Sequence, residues 1–516
     1  MSTRDATSRG PVAGVVAALL LLTSLQSGAA HAAEPPAPLS SARVSVDFGS
    51  REGPLPRAEK YNNFGNVTAW PEQRAEDVNF YNKQGLHGDI YRVWLSSTNA
   101  RDADVFNLCD LATNQCDLSK LDAYLSEASA VSDSLLVDLN PTDFVEGKRP
   151  LKDLKPLLEL ILRRVKEKYP RVRYVEAFNE PDWQFYGQQR NAGRPADRTT
   201  LQPGGLYRYY VPFYGALDDV NQHLPRADRL KLGGPALSVM DPKWMKPFLD
   251  AFAADKNPGK RLDFLSYHAY LSWDEDYKIP TMYRNDLRVV ASQRDVLRGW
   301  LKGRHLDQHL PAFVTETGIY PGPAYDDTDP TKDYIRQAAA MATYSYYYAN
   351  QPDTHMFNWC VRHSTQERKD QLVTRTPDGP LTDTFTPYGN MLLMQSRMKD
   401  TRVSAVTDGL EGDNGVYAMA SKDRTGASVM AWNWQHVNDR GYRTTIDMSH
   451  LPSQLRHGPV RERVYRIDQT TSNYYGDPAK ANLQLVGEKI VRPGRTYTKT
   501  LDLAPNALYL ILLERA

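Results

Sequence analysis

Residues 174–181 read Tyr-Val-Glu-Ala-Phe-Asn-Glu-Pro, a short apolar run that ends in a glutamate and a proline. Residues 312–318 read Ala-Phe-Val-Thr-Glu-Thr-Gly and place a second glutamate after a similar run. Runs of this kind are typical of buried parallel strands. In a barrel of alternating strands and helices, the carboxyl ends of the strands form the active face. The two stretches therefore predict that Glu180 and Glu316 meet at one face of a parallel barrel.

Strand-like runs alternate with helical patterns through the middle of the chain. The clearest helix candidates are Leu151 to Tyr169, Leu206 to Val220 and Tyr334 to Tyr348, and the alternation favours a parallel sheet. A count of eight strands predicts an α/β fold, the (β/α)8 TIM barrel, over residues 61–395. The candidate strands end at Phe64–Gly65, Ile90–Trp94, Leu135–Leu139, Tyr174–Phe178, Leu230–Gly233, Phe264–His268, Phe313–Glu316 and His355–Trp359.

The pattern changes after about residue 395. Short strand-like runs there are separated by Gly, Asn, Asp and Pro, which is typical of an all-β domain. Residues 396–516 are therefore predicted to form an accessory C-terminal β-sandwich. The runs are Val403–Val406, Gly415–Ala420, Ser428–Trp434, Tyr442–Ile446, Arg461–Ile467 and Ala507–Leu513.

The first 32 residues have the pattern of a secretory signal peptide. Arg4 and Arg9 precede an apolar segment, Val12 to Leu22, and small residues then lead to Ala30-His31-Ala32. We expect cleavage near Ala32 and a secreted, extracellular chain that has no membrane contact afterwards. The alternative is a retained membrane anchor, although the apolar segment is short for a bilayer span.

Composition narrows the possible partners. The 516 residues carry a formal net charge of +1, which gives no electrostatic footprint for nucleic acid or anionic membranes. The chain contains 30 tyrosines and 9 tryptophans, whose rings can stack on sugars, although most of them are expected to be ordinary packing residues. No phosphate loop, GxGxxG turn, G-x-S-x-G elbow or metal-ligand spacing occurs, so we expect neither a cofactor nor a metal.

Three cysteines occur in the chain. Cys109 and Cys116 lie close together in a polar segment, and export would allow them to form a disulfide. Cys360 follows Trp359 in an apolar stretch and is predicted to be a buried thiol.

Two carboxylates at one barrel face are what hydrolysis of a glycosidic bond requires. Glu180 is the candidate acid/base, because a general acid needs a pKa raised by burial or by a second carboxylate. Its neighbour Asn179 can present an amide to a sugar hydroxyl, and Pro181 predicts an extended backbone at Glu180. Glu316 is the candidate nucleophile. Alternatively, it is a structural residue that forms a salt bridge at the end of its strand.

Other candidates lie at the ends of neighbouring strands. His268 could keep the nucleophile ionised or bind a sugar hydroxyl, or it could be a structural histidine, and Tyr270 could lie across the nucleophile. Arg92 is a charged residue inside an apolar strand and therefore needs a carboxylate partner. Pairing with Glu316 would lower the pKa of that glutamate.

Tryptophans near the candidate site are potential sugar platforms. Trp359 ends the last strand and could form the floor under a sugar ring, or belong to the core. Trp183 follows Pro181 and is a further substrate-binding candidate. Trp432 and Trp434 alternate on a sandwich strand, where packing is the better interpretation.

These residues resemble the clan of retaining barrel glycosidases that carry their two glutamates on the fourth and seventh strands. Within that clan the chain most resembles glycoside hydrolase family 39, which includes β-xylosidases and α-L-iduronidases. The matching stretches are Val44–Asp47 with Gly53–Leu55, Asn179–Pro181, Gly233–Ala236, Asp263–Tyr270, Thr315–Glu316, Thr386–Met394 and Val429–Asn433.

The resemblance implies Glu180 as acid/base, Glu316 as nucleophile and Asn179 on the 2-hydroxyl, with His268 and Tyr270 beside them. It also implies that residues 33–60 form a linker and an N-terminal strand that joins the β-sandwich. At two positions that would line the sugar-binding site, the chain departs from the family pattern. Phe stands at position 178, where a Trp often precedes the Asn-Glu pair, and Thr-Gly follows the nucleophile in place of a Trp-Asn type pair.

The expected function is that of a secreted retaining glycoside hydrolase, which cleaves plant or microbial oligo- or polysaccharides by double displacement. One alternative is an endo-acting glycanase of a neighbouring family, of the family 5 or 30 type. Another is a non-catalytic carbohydrate-binding barrel, although a pure binder has no physical need for both glutamates.

Overall fold

The computed structural model describes residues 38–65, 82, 84, 86–96, 101–185, 201–270, 287–318, 329–361, 371–375, 381–437 and 439–516. Residues Leu39–Ala516 form one compact unit. The predicted signal peptide, 1–32, lies outside the described residues. The domain boundaries predicted at residues 60 and 395 stay predictions.

Eight parallel strands close into a barrel, as the alternating pattern predicts. The barrel strands are β3, β4 and β7 to β12, and β12 closes the ring on β3. In chain order the strands up to residue 358 are β1 (Ser40–Asp47), β2 (Gly53–Pro54), β3 (Tyr61–Asn63), β4 (Gly88–Trp94), β5 (Cys109–Asp110), β6 (Gln115–Cys116), β7 (Ser132–Leu139), β8 (Val172–Ala177), β9 (Lys231–Leu237), β10 (Phe264–Tyr270), β11 (Ala312–Gly318) and β12 (Thr354–Asn358).

Helices separate the barrel strands and cover the outside of the barrel. The α-helices are α1 (Val105–Leu108), α2 (Asp122–Ala130), α3 (Thr142–Val145), α4 (Leu154–Lys168), α5 (Pro181–Gln184), α6 (Tyr207–Gln222), α7 (Pro242–Ala254), α8 (Leu287–Lys302), α9 (Pro330–Tyr348), α10 (Pro387–Ser396) and α11 (Ser453–Arg456). The 3₁₀ turns are Ala58–Lys60, Ser119–Leu121, Leu151–Asp153, Pro203–Gly205, Arg226–Asp228 and Pro478–Lys480.

Local sequence explains the clearest of these helices. The apolar residues of α4 recur at helical spacing and are buried, and Pro170 follows its end. Asp241 and Asp329 cap α7 and α9 by accepting a hydrogen bond from a backbone N–H of the first turn. In the part of the chain that the structure describes, no helix is long and apolar enough to cross a bilayer.

The barrel interior has an apolar floor and a charged layer above it. Side chains two positions apart along a strand point to the same face. On β4, β7 and β8 the residues two positions beyond the floor are Arg92, Asp138 and Glu176, and all three are buried. The carboxyl end of the barrel is therefore built on buried charges. The floor consists of Ile90, Leu136, Phe264, Phe313 and Phe357, with Tyr61 and Tyr174 packed against them.

The C-terminal strands form a β-sandwich-like unit. In sheet order the strands run β21-β20-β23-β18-β17-β15-β1-β19-β22, and β16 and β2 pair at β17 and β15. These strands, with the separate hairpin β13–β14, are β13 (Val373–Arg375), β14 (Leu381–Phe385), β15 (Thr401–Thr407), β16 (Leu410–Glu411), β17 (Asn414–Lys422), β18 (Gly426–Trp434), β19 (Tyr442–Ser449), β20 (Val460–Ile467), β21 (Gln484–Val491), β22 (Tyr497–Leu503) and β23 (Leu508–Arg515).

The N-terminal strand β1 lies inside this sheet. It pairs antiparallel with β15 and parallel with β19. Val44 and Val46 are buried in the sandwich core, because the strand alternates between its buried and exposed faces. Trp432 and Trp434 on β18 are fully buried, which confirms that they are packing residues. The indole N–H of Trp432 donates to Thr343 Oγ1 on α9 at 2.8 Å and so ties the sandwich to the barrel.

The predicted disulfide is present. Cys109 and Cys116 are bonded across the hairpin of β5 and β6, where the two residues face each other in register. Cys360 is buried and lies outside this bond, as expected.

Candidate active site

Arg92 is the centre of the charged layer at the carboxyl end of the barrel. It is fully buried, and its guanidinium has five N–H donors. Nε donates to Glu176 at 2.6 Å, and Nη1 donates to Glu316 at 2.8 Å. Nη2 donates to Asn179 Oδ1 at 2.8 Å. Longer bonds reach Asn63 Oδ1 at 3.3 Å and Asp138 at 3.4 Å.

Glu316 lies on β11 with both carboxylate oxygens engaged. Oε1 accepts from Arg92, and Oε2 accepts from the hydroxyl of Tyr270 on β10 at 2.7 Å. Only 4% of the residue is exposed. These two donors fix the orientation of the carboxylate and favour its charged form.

The net direction of the Glu316 pKa differs from the sequence-based expectation. Arg92 and His268 lower the pKa, as predicted, but burial raises it by more, so the pKa lies above its ordinary value. Arg92 also serves Glu176 and Asp138, and its single charge is shared among three carboxylates. The pairing with Arg92 is therefore correct, whereas the predicted net lowering of the pKa is wrong.

Glu180 is presented by an unusual backbone turn after β8. Phe178 and Glu180 have φ values of 72° and 48°, in the left-handed region that non-glycine residues rarely adopt. The N–H of Glu180 donates to the carbonyl of Ala236 at 2.8 Å, and the carbonyl of Glu180 accepts from Gln184 at the end of α5. The extended backbone predicted from Pro181 is therefore wrong, because these tertiary and helical hydrogen bonds outweigh the local preference.

Burial raises the pKa of Glu180 to about 7, although the positive charge of Arg92 opposes this change. His268 Nδ1 lies 2.9 Å from Glu180 Oε1 and 3.5 Å from Glu316 Oε2. Burial lowers the pKa of His268 to about 4, so the imidazole is neutral near pH 7. A neutral ring with its proton on Nδ1 can donate to either carboxylate.

Asn179 is oriented by Arg92. Its Oδ1 accepts from Nη2, which leaves the Nδ2 amide as the donor end. Among the described residues, Nδ2 has no acceptor. An amide donor beside Glu180 is therefore available to a ligand hydroxyl, as the sequence predicts for Asn179.

The two tryptophan candidates occupy different surroundings. Trp359 follows β12 and is buried, with its ring 5.5 Å from that of Trp94 at the end of β4. The Arg92 guanidinium lies 5.6 Å from the Trp94 ring, so Trp94 links Trp359 to the charged layer. Trp183 is half-buried in α5, three residues after Glu180. Contact of either candidate with a sugar stays a prediction.

Sequence reasoning did not select Asp138, Glu176, Asn63 or Asp182. Asp138 and Glu176 stand inside apolar strands, the same signal that identified Arg92. Burial raises the pKa of Asp138 well above its ordinary value. Asp182 accepts two hydrogen bonds from Ser238, at 2.9 and 2.8 Å, and burial raises its pKa to about 7. Asn63 has no local signal, because its role depends on Arg92.

Glu180, His268 and Glu316 are the described residues that could hold a metal ion. One donor atom from each lies within 4.8 Å of the others. In the structure His268 Nδ1 contacts Glu180, and the two oxygens of Glu316 accept from Arg92 and Tyr270.

No family model matches the sequence, and no curated protein matches it. Solved structures do match the fold. A glucosidase from Croceicoccus marinus has a TM-score of 0.66 at 15% identity, over 92% of this chain and 99% of that one. A β-xylosidase from Caulobacter crescentus has a TM-score of 0.65 at 15% identity, over 92% and 99%. A family 39 enzyme from Xanthomonas axonopodis has a TM-score of 0.63 at 14% identity, over 93% and 98%.

These neighbours are glycosidases, and the match extends over nearly the whole length of each. At such identities the likeness shows the fold alone. It confirms the TIM barrel with a β-sandwich, and it confirms the resemblance to family 39 glycoside hydrolases as a resemblance in fold.

Proposed function

We propose that this protein is a secreted glycoside hydrolase of retaining mechanism, with Glu180 as acid/base and Glu316 as nucleophile. One observation carries the proposal. A carboxylate oxygen of Glu180 and one of Glu316 lie within 4.8 Å of each other at the carboxyl end of the barrel. One glutamate has a pKa of about 7, and the other is held by two donors.

The spacing of the carboxylates favours retention over inversion. Retaining enzymes separate their carboxyl groups by about 5–5.5 Å, whereas inverting enzymes need about 6.5–9.5 Å to admit a water molecule. The approach of a Glu180 oxygen to within 4.8 Å of a Glu316 oxygen supports the shorter, retaining separation. Glu316 can therefore attack the anomeric carbon directly and form a covalent glycosyl–enzyme intermediate.

Each side chain then has a defined task. In the first step Glu180 gives its proton to the leaving oxygen while Glu316 bonds to the anomeric carbon. Arg92 and Tyr270 orient the Glu316 carboxylate. In the second step Glu180, now ionised, removes a proton from water, and the water oxygen bonds to the anomeric carbon as the bond between the sugar and Glu316 breaks.

Neutral His268 can donate its Nδ1 proton to whichever carboxylate is charged. In the free site that hydrogen bond favours the ionised form of its acceptor. Once Glu316 is esterified, Glu180 is the remaining anion, and the contact at 2.9 Å supports its role as base. Asn179 Nδ2 would contact the hydroxyl beside the anomeric carbon.

Secretion and the substrate class are part of the proposal. The pattern of the first 32 residues and the Cys109–Cys116 bond support export, because disulfides persist in oxidising compartments. The glucosidase and β-xylosidase among the neighbours support a glycoside as substrate, and a plant or microbial glycan is the source we propose.

The experiment is a screen of purified protein against nitrophenyl glycosides and oligosaccharides, with Glu180→Gln and Glu316→Gln beside the wild type. Glu488→Gln, on the exposed sandwich strand β21, is the matched control. We expect activity on at least one sugar, lost in both site variants and unchanged in the control. Proton NMR of the first product should show the substrate's own anomeric configuration. Tight glycan binding without cleavage would instead indicate a carbohydrate-binding barrel.

A further inference from the structure

A cavity lies at the opposite end of the barrel from Glu180 and Glu316. Its volume is about 480 Å³, within the range of about 300–1,000 Å³ that is usual for small-molecule sites. Tyr61, Asp89, Thr354 and His355 line it from the amino ends of β3, β4 and β12. The sandwich side of the chain contributes Arg402 of β15. Because several lining residues are exposed, the cavity opens to solvent.

Four polar side chains of this cavity, those of Tyr61, Asp89, Thr354 and His355, have no hydrogen-bond partner in the described part of the chain. Thr354 is more than nine-tenths buried, yet its Oγ1 has no hydrogen-bond partner among the described residues. Within the same described part of the chain, neither the Tyr61 hydroxyl, the Asp89 carboxylate nor the His355 ring nitrogens have one. A buried hydroxyl without a partner is costly unless water or a ligand satisfies it.

An aromatic surface accompanies these groups. The rings of Tyr61 and His355 lie 4.5 Å apart between centroids, with an interplanar angle of 34°. Burial lowers the pKa of His355, so the imidazole is neutral near pH 7 and offers both a donor and an acceptor. Flat rings beside hydroxyl, imidazole and carboxylate groups suit a molecule with an apolar face and a hydroxylated rim.

The charge of the cavity selects against an anionic ligand. Both lining arginines are already used by the protein. Arg57 donates to Asp400 at 2.6 Å, and Arg402 Nε lies 3.1 Å from a carboxylate oxygen of Glu52, which also lines the cavity. Asp89 forms no salt bridge with another described residue, so its charge would repel a carboxylate or phosphate.

We propose that this cavity binds a neutral saccharide, as a second carbohydrate site remote from the catalytic pair. The choice of a glycan as ligand rests on the proposed function. Tyr61 and His355 would stack on the sugar ring, and Asp89 and Thr354 would bind its hydroxyls. Such a site would hold a polymeric substrate against the enzyme without touching the reacting bond.

The test uses the full chain carrying Glu316→Gln, so that no ligand is consumed. It is titrated by calorimetry with xylotetraose, cellotetraose and mannotetraose as neutral probes and with tetragalacturonate as the anionic probe. We expect two sites for at least one neutral probe. Asp89→Asn should weaken one site about tenfold, as loss of a charged hydrogen bond would. Thr354→Val should weaken the same site, and Asp133→Asn, a nearby exposed carboxylate, should change neither.

Two results would overturn the proposal: no neutral probe binds at a site that Asp89→Asn and Thr354→Val weaken, or the anionic probe binds that site equally well. Thermal unfolding verifies that each variant is folded. Hydrolysis of a small aryl glycoside by otherwise wild-type protein carrying Asp89→Asn should be unchanged.

If the wild type cleaves no glycoside but the second site binds, the proposed function fails and this proposal stands. If the wild type cleaves a glycoside but no binding site is weakened by Asp89→Asn and Thr354→Val, the proposed function stands and the second site is excluded.

Discussion

At the scale of single residues, Arg92 holds together the buried charges of the site. One guanidinium contacts Glu176, Asp138 and Glu316, all of them buried. Removing one member of a buried ionic cluster leaves its partners uncompensated. The positive charge therefore maintains the fold at this end of the barrel as well as the orientation of Glu316.

We expect Arg92→Met to lower the free energy of unfolding by about 3–5 kcal/mol, because three buried carboxylates would lose their partner. Arg92→Lys keeps the charge but cannot donate to all five acceptors, so it should be folded and nearly inactive. Denaturant unfolding and activity on an aryl glycoside measure the two effects.

Glu316→Gln is the control for this series. The amide keeps the shape of the side chain, and Arg92 keeps Glu176 and Asp138 as carboxylate partners, so activity should vanish while the unfolding midpoint changes little. A large loss of stability in Glu316→Gln, with residual activity, would favour the salt-bridge interpretation of Glu316.

The pKa of Glu180 predicts the alkaline limb of the pH profile. A general acid must be protonated, and burial keeps Glu180 protonated up to about pH 7. We expect kcat/KM to fall as the pH rises through about 7, by about tenfold per pH unit at the limit. The measurement is kcat/KM against pH for a glycoside with a poor leaving group.

Any residual turnover of Glu180→Gln on a glycoside with a good leaving group should lack this limb, because glutamine does not titrate. On a glycoside with a good leaving group, azide should restore turnover of Glu180→Ala, since an anion can replace the missing base. A limb that persists unchanged in Glu180→Gln would assign it to another group, of which Asp182, with a pKa also near 7, is the first candidate.

At the scale of elements, helix α9 packs against strands β17 and β18 of the sandwich. The hydrogen bond from Trp432 Nε1 on β18 to Thr343 Oγ1 on α9 is buried at both ends. The Tyr417 and Trp432 rings stack at 5.6 Å, and Tyr346 of α9 packs against both. Packing of this kind makes the two halves of the chain a single compact unit.

A double-mutant cycle measures the energy of the hydrogen bond between Trp432 and Thr343. Trp432→Phe and Thr343→Val should each lower the free energy of unfolding by about 1–3 kcal/mol, because each leaves a buried polar group unpaired or removes packing. The coupling energy between them should be about 1 kcal/mol. Additive effects would mean that the hydrogen bond contributes nothing beyond the packing of the rings.

At the scale of the whole molecule, the two ends of the described chain are joined in one sheet. Strand β1 lies between β15 and β19, which belong to the last quarter of the sequence. The N-terminal segment is therefore a structural part of the C-terminal sheet, and the barrel is inserted between them in sequence.

We expect a chain that begins at Pro38 to fold and a chain that begins at Gly49 to fail. The second lacks β1, and its loss would expose the ladder edges of β15 and β19 together with the core that Val44 and Val46 fill. Recovery from the soluble fraction and thermal unfolding of the two shortened chains provide the measurement. Equal stability would show that β15 and β19 can close the gap by themselves.

The sequence by itself determined the eight strands, the two glutamates at strand ends, the cysteine pair and the candidates Arg92, His268 and Tyr270. These signals are local: apolar periodicity, a charge inside an apolar strand and short spacings in the chain. The tertiary structure decided what those residues do to one another. Arg92 reaches carboxylates 84 and 224 positions away, and the left-handed turn at Glu180 depends on a bond to Ala236 of another strand. The pKa of each glutamate follows from the sum of burial and all neighbouring charges, and that sum exists only once the barrel has closed.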